Sequence, residues 1–194
     1  MRKIPTIFVR DWDGDPKHVT SVRNPECAWV FAGEGIATRK YDGTCVMFDG
    51  ERWWARREVK PGKATPAGFV LVEEDGETGK RVGWEPIAQS GFAKFHAEAL
   101  AAADRPGEAP SVWAPGTYEL CGPKINRNPE RAETHVLIRH ALAERVEVPS
   151  PTFDGICEVV RRLAAEAGAE GIVWHHPDGR MAKIKARDFP GNGH

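Results

Sequence analysis

The chain is poor in cysteine, and its few cysteines are scattered. Its 194 residues include four, Cys27, Cys45, Cys121 and Cys157, and no two of them form a CxxC pair. Thiolate zinc sites are usually built on such pairs, so we do not expect a zinc site of that kind. Cys45 and Cys121 lie inside apolar runs and are expected to behave as small buried hydrophobic residues. This cysteine usage suits the reducing cytoplasm.

The chain also lacks a charge excess and long apolar runs. Formal net charge is −1, from 27 basic and 28 acidic residues, so any binding of nucleic acid would depend on a local basic patch. No window of about 18 apolar residues is present, and a membrane span is therefore not expected. The N-terminal stretch MRKIPTIFVRDWDGD has no apolar core of signal-peptide length. These features predict a cytoplasmic protein without a membrane partner.

What is present is typical of one globular domain. Hydrophobic residues make up 41% and charged residues 28% of the chain, and the length favours a single domain over residues 1–194. Alternating apolar and polar residues predict strands, and apolar residues at helical spacing predict helices. The strands are predicted at 4–9, 68–75 and 117–122, with hairpins over 35–62 and 170–189; the helices at 86–104 and 153–167. We interpret this order as α+β with antiparallel sheets.

Three segments are less clear-cut. Residues 27–33 fit either a short strand or a buried turn, and residues 134–143 fit a strand or a helix. Residues 105–116, RPGEAPSVWAPG, are rich in proline and glycine and are predicted to form a loop.

Charged residues interrupt several of the apolar runs. Lys40 and Asp42 lie within ATRKYDGTCVMF, and if that stretch is one extended strand, they point to the same face. Lys183 and Lys185 alternate in the same way. Buried charges are costly unless they are paired or functional. Taken singly, each is also explained as a solvent-facing strand residue.

Taken together, the motifs resemble the covalent nucleotidyltransferase superfamily, which comprises ATP-dependent DNA ligases, RNA ligases and mRNA capping guanylyltransferases. The matching stretches are KYDG at 40–43, TYEL at 117–120, EGIVW at 170–174 and KIK at 183–185. Threonine after KYDG, and the stretch ELCGPKINRNPE, are most similar to small RNA ligases. The resemblance implies an adenylyltransferase-like core in which antiparallel sheets and flanking helices form a nucleotide-binding groove.

The resemblance implies that Lys40 attacks the α-phosphate of ATP and becomes a lysyl-AMP. AMP then passes to a 5′-phosphate, which is joined to a 3′-hydroxyl. A lysine is nucleophilic only when neutral, and its ordinary pKa is about 10.4, so nearby cations and burial are needed to lower it. Lys183 and Lys185 would supply cations and neutralise the triphosphate. Arg39 and Arg56 would add to this cationic field.

The remaining candidate residues concern the nucleotide and a metal. By the same resemblance, Glu119 and Glu170 would hold Mg²⁺ (or Mn²⁺) or the ribose hydroxyls, and Asp42 would orient Lys40 or bind the metal through water. Gly43 would allow the backbone to approach the nucleotide closely. Arg56 and Arg57 lie in the basic stretch WARREVKPGK and suit phosphate contacts; the alternative is a solvated strand.

The resulting hypothesis is an ATP-dependent RNA ligase acting on RNA with 5′-phosphate and 3′-hydroxyl ends. The alternatives are a DNA ligase, a capping-type guanylyltransferase, or a nucleic-acid-binding module that has lost the chemistry. Ligases of this superfamily usually carry a further domain. We expect neither a separate C-terminal OB-fold domain nor another accessory domain here, and a partner protein could then supply that role.

Overall fold

A computed structural model describes residues 2–76, 78–104 and 112–191. Its strands are β1 (Phe8–Arg10), β2 (Val19–Arg23), β3 (Ile36–Lys40), β4 (Thr44–Phe48), β5 (Trp53–Val59), β6 (Val70–Glu74), β7 (Arg81–Pro86), β8 (Gly116–Cys121), β9 (Val136–Arg139), β10 (Gly171–His175) and β11 (Met181–Lys185). The α-helices are α1 (Ala28–Phe31), α2 (Ala93–Ala103) and α3 (Phe153–Ala167). All pairs between these strands are antiparallel, so the predicted α+β class is confirmed.

The chain divides into two compact units. The central unit contains Asp42–Leu142 together with the residues before Ile4, and the flanking unit contains Ile4–Tyr41 and the chain from Ala143 onward. The flanking unit has a three-stranded sheet in the order β11-β10-β3 and a two-stranded sheet of β1 and β2. The central unit has one six-stranded sheet in the order β6-β7-β5-β4-β8-β9.

Helix α3 and the three-stranded sheet share the core of the flanking unit. The helix begins after Thr152, whose hydroxyl accepts a hydrogen bond from the N–H of Gly155, and ends at Gly168 with φ 68°. Its apolar side packs in one cluster with Ile172 and Ile184 of β10 and β11, both fully buried. The predicted bounds and C-cap of this helix are confirmed.

The core of the central unit forms on one face of its sheet. Val46, Tyr118 and Leu120 are buried there with Ala99 of α2. Helix α2 is shorter than predicted, because Pro86 still belongs to β7 and a 3-10 turn, Ile87–Gln89, precedes the helix. A proline has no N–H to donate and suits such an element boundary.

Several predictions of local structure were incomplete. Residues 27–33 form neither a strand nor a turn alone, since a 3-10 turn at Pro25–Cys27 leads into α1. Strands β2 and β7 were not predicted. The ambiguous segment 134–143 contains β9 followed by a 3-10 turn, His140–Leu142. Most of the predicted loop over 105–116 lies outside the described residues.

No helix among the described residues is long and apolar enough to cross a membrane.

Candidate active site

The three-stranded sheet of the flanking unit brings together lysines from two distant parts of the chain. In its register, Gly171 of β10 lies opposite Lys40 of β3 on one side and Lys185 of β11 on the other. Lys183 pairs with Val173, one same-face position further along the sheet. The buried residues Ala182 and Ile184 alternate with these lysines, which are only partly exposed. The predicted shared face of Lys183 and Lys185 is therefore confirmed.

Glu170 is the shared partner of Lys40 and Lys185. Its Oε2 accepts a hydrogen bond of 2.5 Å from Lys40 Nζ, and its Oε1 forms an ion pair with Lys185 Nζ. The backbone fixes it on both sides, because its N–H donates to Lys40 and its carbonyl accepts from Ala186. The guanidinium of Arg187 lies 3.5 Å from the same Oε1. One carboxylate thus binds three cationic side chains.

The charge on Glu170 is maintained by these contacts. Burial by itself raises the pKa of this carboxyl. The positive charge of Lys40 and the hydrogen bonds from Lys185 and Lys40 outweigh burial and place the pKa of Glu170 below its usual value. Its side chain is only 11% exposed, so the ion pairs are weakly screened by solvent. Glu170 is therefore a fixed anion between two amines.

Whereas the contacts of Glu170 favour its charged form, the surroundings of Lys183 favour its neutral form. Burial, followed by the nearby charges of Lys185 and Lys40, lowers the pKa of Lys183 to about 8. Glu170 and Asp188 offset this only in part. Near neutral pH this amine therefore exchanges its proton much more readily than an ordinary lysine. The site holds one lysine that loses its proton easily among others fixed by a carboxylate.

Gly171 is required by the close approach of two strands. A Cβ at this position would overlap the carbonyl oxygen of Ile184 and lie 2.7 Å from the Cα of Lys185. Both atoms belong to the backbone of β11 and cannot move without separating the strands. The absence of a side chain here keeps Glu170, the preceding residue, between Lys40 and Lys185.

Arg39 is directed elsewhere. Its guanidinium donates a 2.6 Å hydrogen bond to the carbonyl of Ala167 at the end of α3, and lies 3.7 Å from Glu144. It also stacks over the ring of Tyr41, at 4.8 Å from the ring centroid. The structure therefore places the guanidinium of Arg39 at the C-terminus of α3.

Asp42 and Gly43 belong to the central unit and are not part of a strand. Because β3 ends at Lys40 and β4 begins at Thr44, the expectation that Lys40 and Asp42 share one strand face is wrong. The side-chain amide of Asn126 donates to Asp42 Oδ1 at 2.8 Å and to the Gly43 carbonyl at 3.0 Å. The N–H of Asp42 donates to Glu130 Oε1 at 2.8 Å.

Glu119 of β8 is held in the central unit by two groups. Its Oε1 accepts from the N–H of Gly43 at 3.2 Å, and its Oε2 lies 2.9 Å from Nε2 of His140. The other ring nitrogen of His140 is 2.9 Å from Oγ1 of Thr117. Glu119 is 8% exposed, so this ring fixes the orientation of a buried carboxylate. A Cβ on Gly43 would lie 2.8 Å from Cγ of Glu119, so the lack of a side chain at Gly43 lets its backbone lie close to Glu119.

Arg56 and Arg57 lie on β5 of the central unit. Successive strand residues face opposite ways, and the two arginines accordingly differ in exposure. Arg57 is exposed, with its guanidinium 4.0 Å from the buried carboxylate of Glu85, whereas Arg56 is half-buried. The two therefore do not form one patch on a single face.

The predicted metal ligands are divided between the units, since Glu170 belongs to the flanking unit and Glu119 and Asp42 to the central unit. Among the described residues, no three or more His, Cys, Asp or Glu side chains gather into a group that could hold a metal. Magnesium is commonly bound through one or two carboxylates together with substrate phosphates. The carboxylates of Glu170, Glu119 and Asp42 fit that mode of binding.

Two residues at these sites were missed from the sequence. Arg187 continues the alternation of Lys183 and Lys185, and this spacing could have revealed it. His140 had no such signal, because its contact with Glu119 depends on the pairing of β8 with β9.

The comparisons with known proteins give one partial similarity. Over 73 residues, or 35% of the chain, it is 36% identical to RNA ligase 1 of Danio rerio. The aligned part spans 22% of the length of that relative. No family model matches the chain.

Proposed function

We propose that this protein is an ATP-dependent RNA ligase that forms a lysyl-AMP at Lys40. AMP is then transferred to the 5′-phosphate of an RNA, and a 3′-hydroxyl displaces it to join the two ends. The observation that carries the proposal is the grouping of Lys40, Lys183 and Lys185 around Glu170. The partial similarity to an RNA ligase favours RNA over other nucleic acids.

The lysine cluster suits attack on a phosphate. Once the Lys40 ammonium has lost one proton, the lone pair of Nζ forms a bond to the α-phosphorus of ATP and the bond from that phosphorus to the pyrophosphate oxygen breaks. A second proton leaves Nζ as the phosphoramidate forms, and both protons pass to solvent or to the departing pyrophosphate. Negative charge grows on the departing pyrophosphate, and Lys183 and Lys185 are cations suited to stabilising it. Glu170 holds Lys40 at a fixed position until the nucleotide arrives.

The fixed carboxylates define the other parts of the proposal. Glu170 in the flanking unit, and Glu119 and Asp42 in the central unit, are proposed as residues that could hold Mg²⁺ or Mn²⁺ together with phosphate oxygens. Such an ion supplies positive charge that offsets the triphosphate. Arg39, Arg56 and Arg57 are proposed to contribute positive charge at longer range. A cytoplasmic location fits the cysteines, which form no disulfide.

The extent of the activity is also part of the proposal. We propose residues 1–194 as one adenylation domain. The similarity covers 22% of the relative, and sealing two strands therefore requires a direct test, with and without a partner protein.

Labelling with α-labelled ATP and magnesium tests the first step. We expect label on the denatured wild-type chain and none on Lys40→Arg, which retains the positive charge but is not nucleophilic. Lys94→Arg is the matched control, since Lys94 is 81% exposed on α2, and it should label like the wild type. Equal labelling of Lys40→Arg would overturn the proposal.

The same assay separates the alternatives. Label from GTP in place of ATP would indicate a capping-type enzyme. Joining of DNA but not RNA ends would indicate a DNA ligase. RNA binding without any label would indicate a binding module.

A further inference from the structure

The loop between β8 and β9, residues 122–135 and here named the asparagine loop, has an unusual backbone. Three consecutive residues, Asn126, Arg127 and Asn128, have φ of 46°, 66° and 58°, and Arg131 has 52°. Residues other than glycine rarely adopt this region, and a run of them is unfavourable unless the surroundings impose it. Backbone of this kind is concentrated at functional sites.

The asparagine loop is held firmly from within the central unit. Ile125 is fully buried in the core, and the side chain of Asn128 bonds both the N–H and the carbonyl of Ala132. Asn126 and Glu130 form hydrogen bonds with Asp42 and Gly43. In the chain, Tyr41 alone separates these two residues from Lys40. The loop is therefore attached to the same stretch of chain that carries the proposed nucleophile.

Three cations project from this fixed loop. Lys124, Arg127 and Arg131 lie within eight residues, and all three are exposed. None of them forms an ion pair with any residue in the described ranges. The carboxylate of Glu130 is directed to the N–H of Asp42, which leaves Glu133 as the exposed acid of the loop.

We propose that the asparagine loop binds the phosphate backbone of an RNA substrate through Lys124, Arg127 and Arg131. This rests on the proposed function for the choice of RNA. Arginine donates to phosphate through a planar fork, and lysine supplies a compact charge. Because the loop is fixed before binding, less conformational entropy is lost when phosphates bind to it than to a loop that must first become ordered. With a net charge of −1 for the whole chain, binding of a polyanion requires such a local group.

The test compares two triple variants of the full chain. One carries Lys124→Gln, Arg127→Gln and Arg131→Gln. The matched control carries Lys17→Gln, Arg52→Gln and Arg162→Gln, which removes the same charge from other exposed positions. Anisotropy of a labelled, 5′-phosphorylated single-stranded RNA is measured from 50 to 200 mM salt. Thermal midpoints verify that both variants fold, and Lys124→Arg, Arg127→Lys and Arg131→Lys together should restore binding.

Each phosphate contact on a single strand contributes about 0.7 to the slope of log affinity against log salt. The loop variant should therefore lose about 2 from that slope and bind at least about tenfold more weakly at 50 mM salt. The control should remain close to wild type. Equal losses in the two variants, or no loss in the loop variant, would overturn the proposal, as would binding of an acidic peptide in place of RNA. Labelling of the wild-type chain by ATP decides the proposed function separately, because the binding measurement needs no catalysis.

Discussion

Lys183 is largely buried and lies near other cations, and its charged form therefore destabilises the folded state. Since the pKa of Lys183 is lowered to about 8, the unfolded chain binds more protons between about pH 8 and the ordinary lysine value of 10.4. The contribution of Lys183 to the free energy of unfolding therefore rises with pH across that window. Below about pH 8 the amine of the folded chain is charged, and the full cost of burying this charge is present.

Replacing Lys183 by methionine should therefore stabilise the fold. We expect Lys183→Met to raise the free energy of unfolding at pH 7 by about 1 kcal/mol, with a smaller gain at pH 10. Adenylylation should fall at the same time. Lys185→Met is the contrasting variant, since it removes an ion-pair partner of Glu170 and should destabilise. Urea unfolding at both pH values measures this, and a loss of stability in Lys183→Met at pH 7 would contradict it.

His140 orients a buried carboxylate through its contact with Glu119. His140→Ala leaves Glu119 with the N–H of Gly43 and without its second partner, which should cost about 1–2 kcal/mol. If Glu119 binds the nucleotide, the ATP concentration needed for half-maximal labelling should rise as well. His140→Gln, which can still donate a hydrogen bond, should recover part of both effects. If the ATP dependence of labelling is unchanged in His140→Ala, the contact between His140 and Glu119 plays no part in nucleotide binding.

At the scale of elements, the closing hairpin of β10 and β11 was predictable, because lysines alternate with apolar residues along β11. The structure of the stretch ATRKYDGTCVMF was not predictable in this way. Its composition is β-prone throughout, yet β3 pairs with β10 and β4 pairs with β5 and β8. Residues 41–43 connect two sheets, and no local pattern distinguishes such a connection from a continuous strand.

Gly171 links strand packing to the site. In Gly171→Ala the new methyl group meets the backbone of β11 at Ile184 and Lys185, so the strands must separate. We expect a loss of about 1–3 kcal/mol in stability and a larger relative loss of adenylylation. Gly179→Ala in the β10–β11 turn is a control with open space for the methyl group but a strained φ of 92°; it should lower stability without an equivalent loss of labelling. If Gly171→Ala and Gly179→Ala lose similar labelling when their stabilities are equal, Gly171 has no special role at the site.

At the scale of the whole molecule, the expectation that Cys121 is buried is confirmed, whereas the same expectation for Cys45 is wrong. All four are thiols; Cys27, Cys121 and Cys157 are buried, and Cys45 is half-buried. Burial, with a smaller effect of the Glu26 charge, raises the pKa of Cys27 to about 11. A protonated, buried thiol reacts slowly with alkylating agents.

We therefore expect iodoacetamide at pH 7.5 to modify Cys45 first in the native protein and all four cysteines after denaturation. Intact-mass measurement follows the modification. Reductant should leave the thermal midpoint unchanged. Rapid native modification of Cys27 would contradict the burial described here.

The sequence by itself determined the α+β class and both long helices. These follow from the periodicity of apolar residues, which is a local property. Only the tertiary structure decided which charges meet. Lys40 and Glu170 are 130 residues apart, and His140 reaches Glu119 through the register of β8 and β9. Contacts between distant residues depend on strand pairing and on core packing. The free energy of pairing and packing is spread over the whole fold.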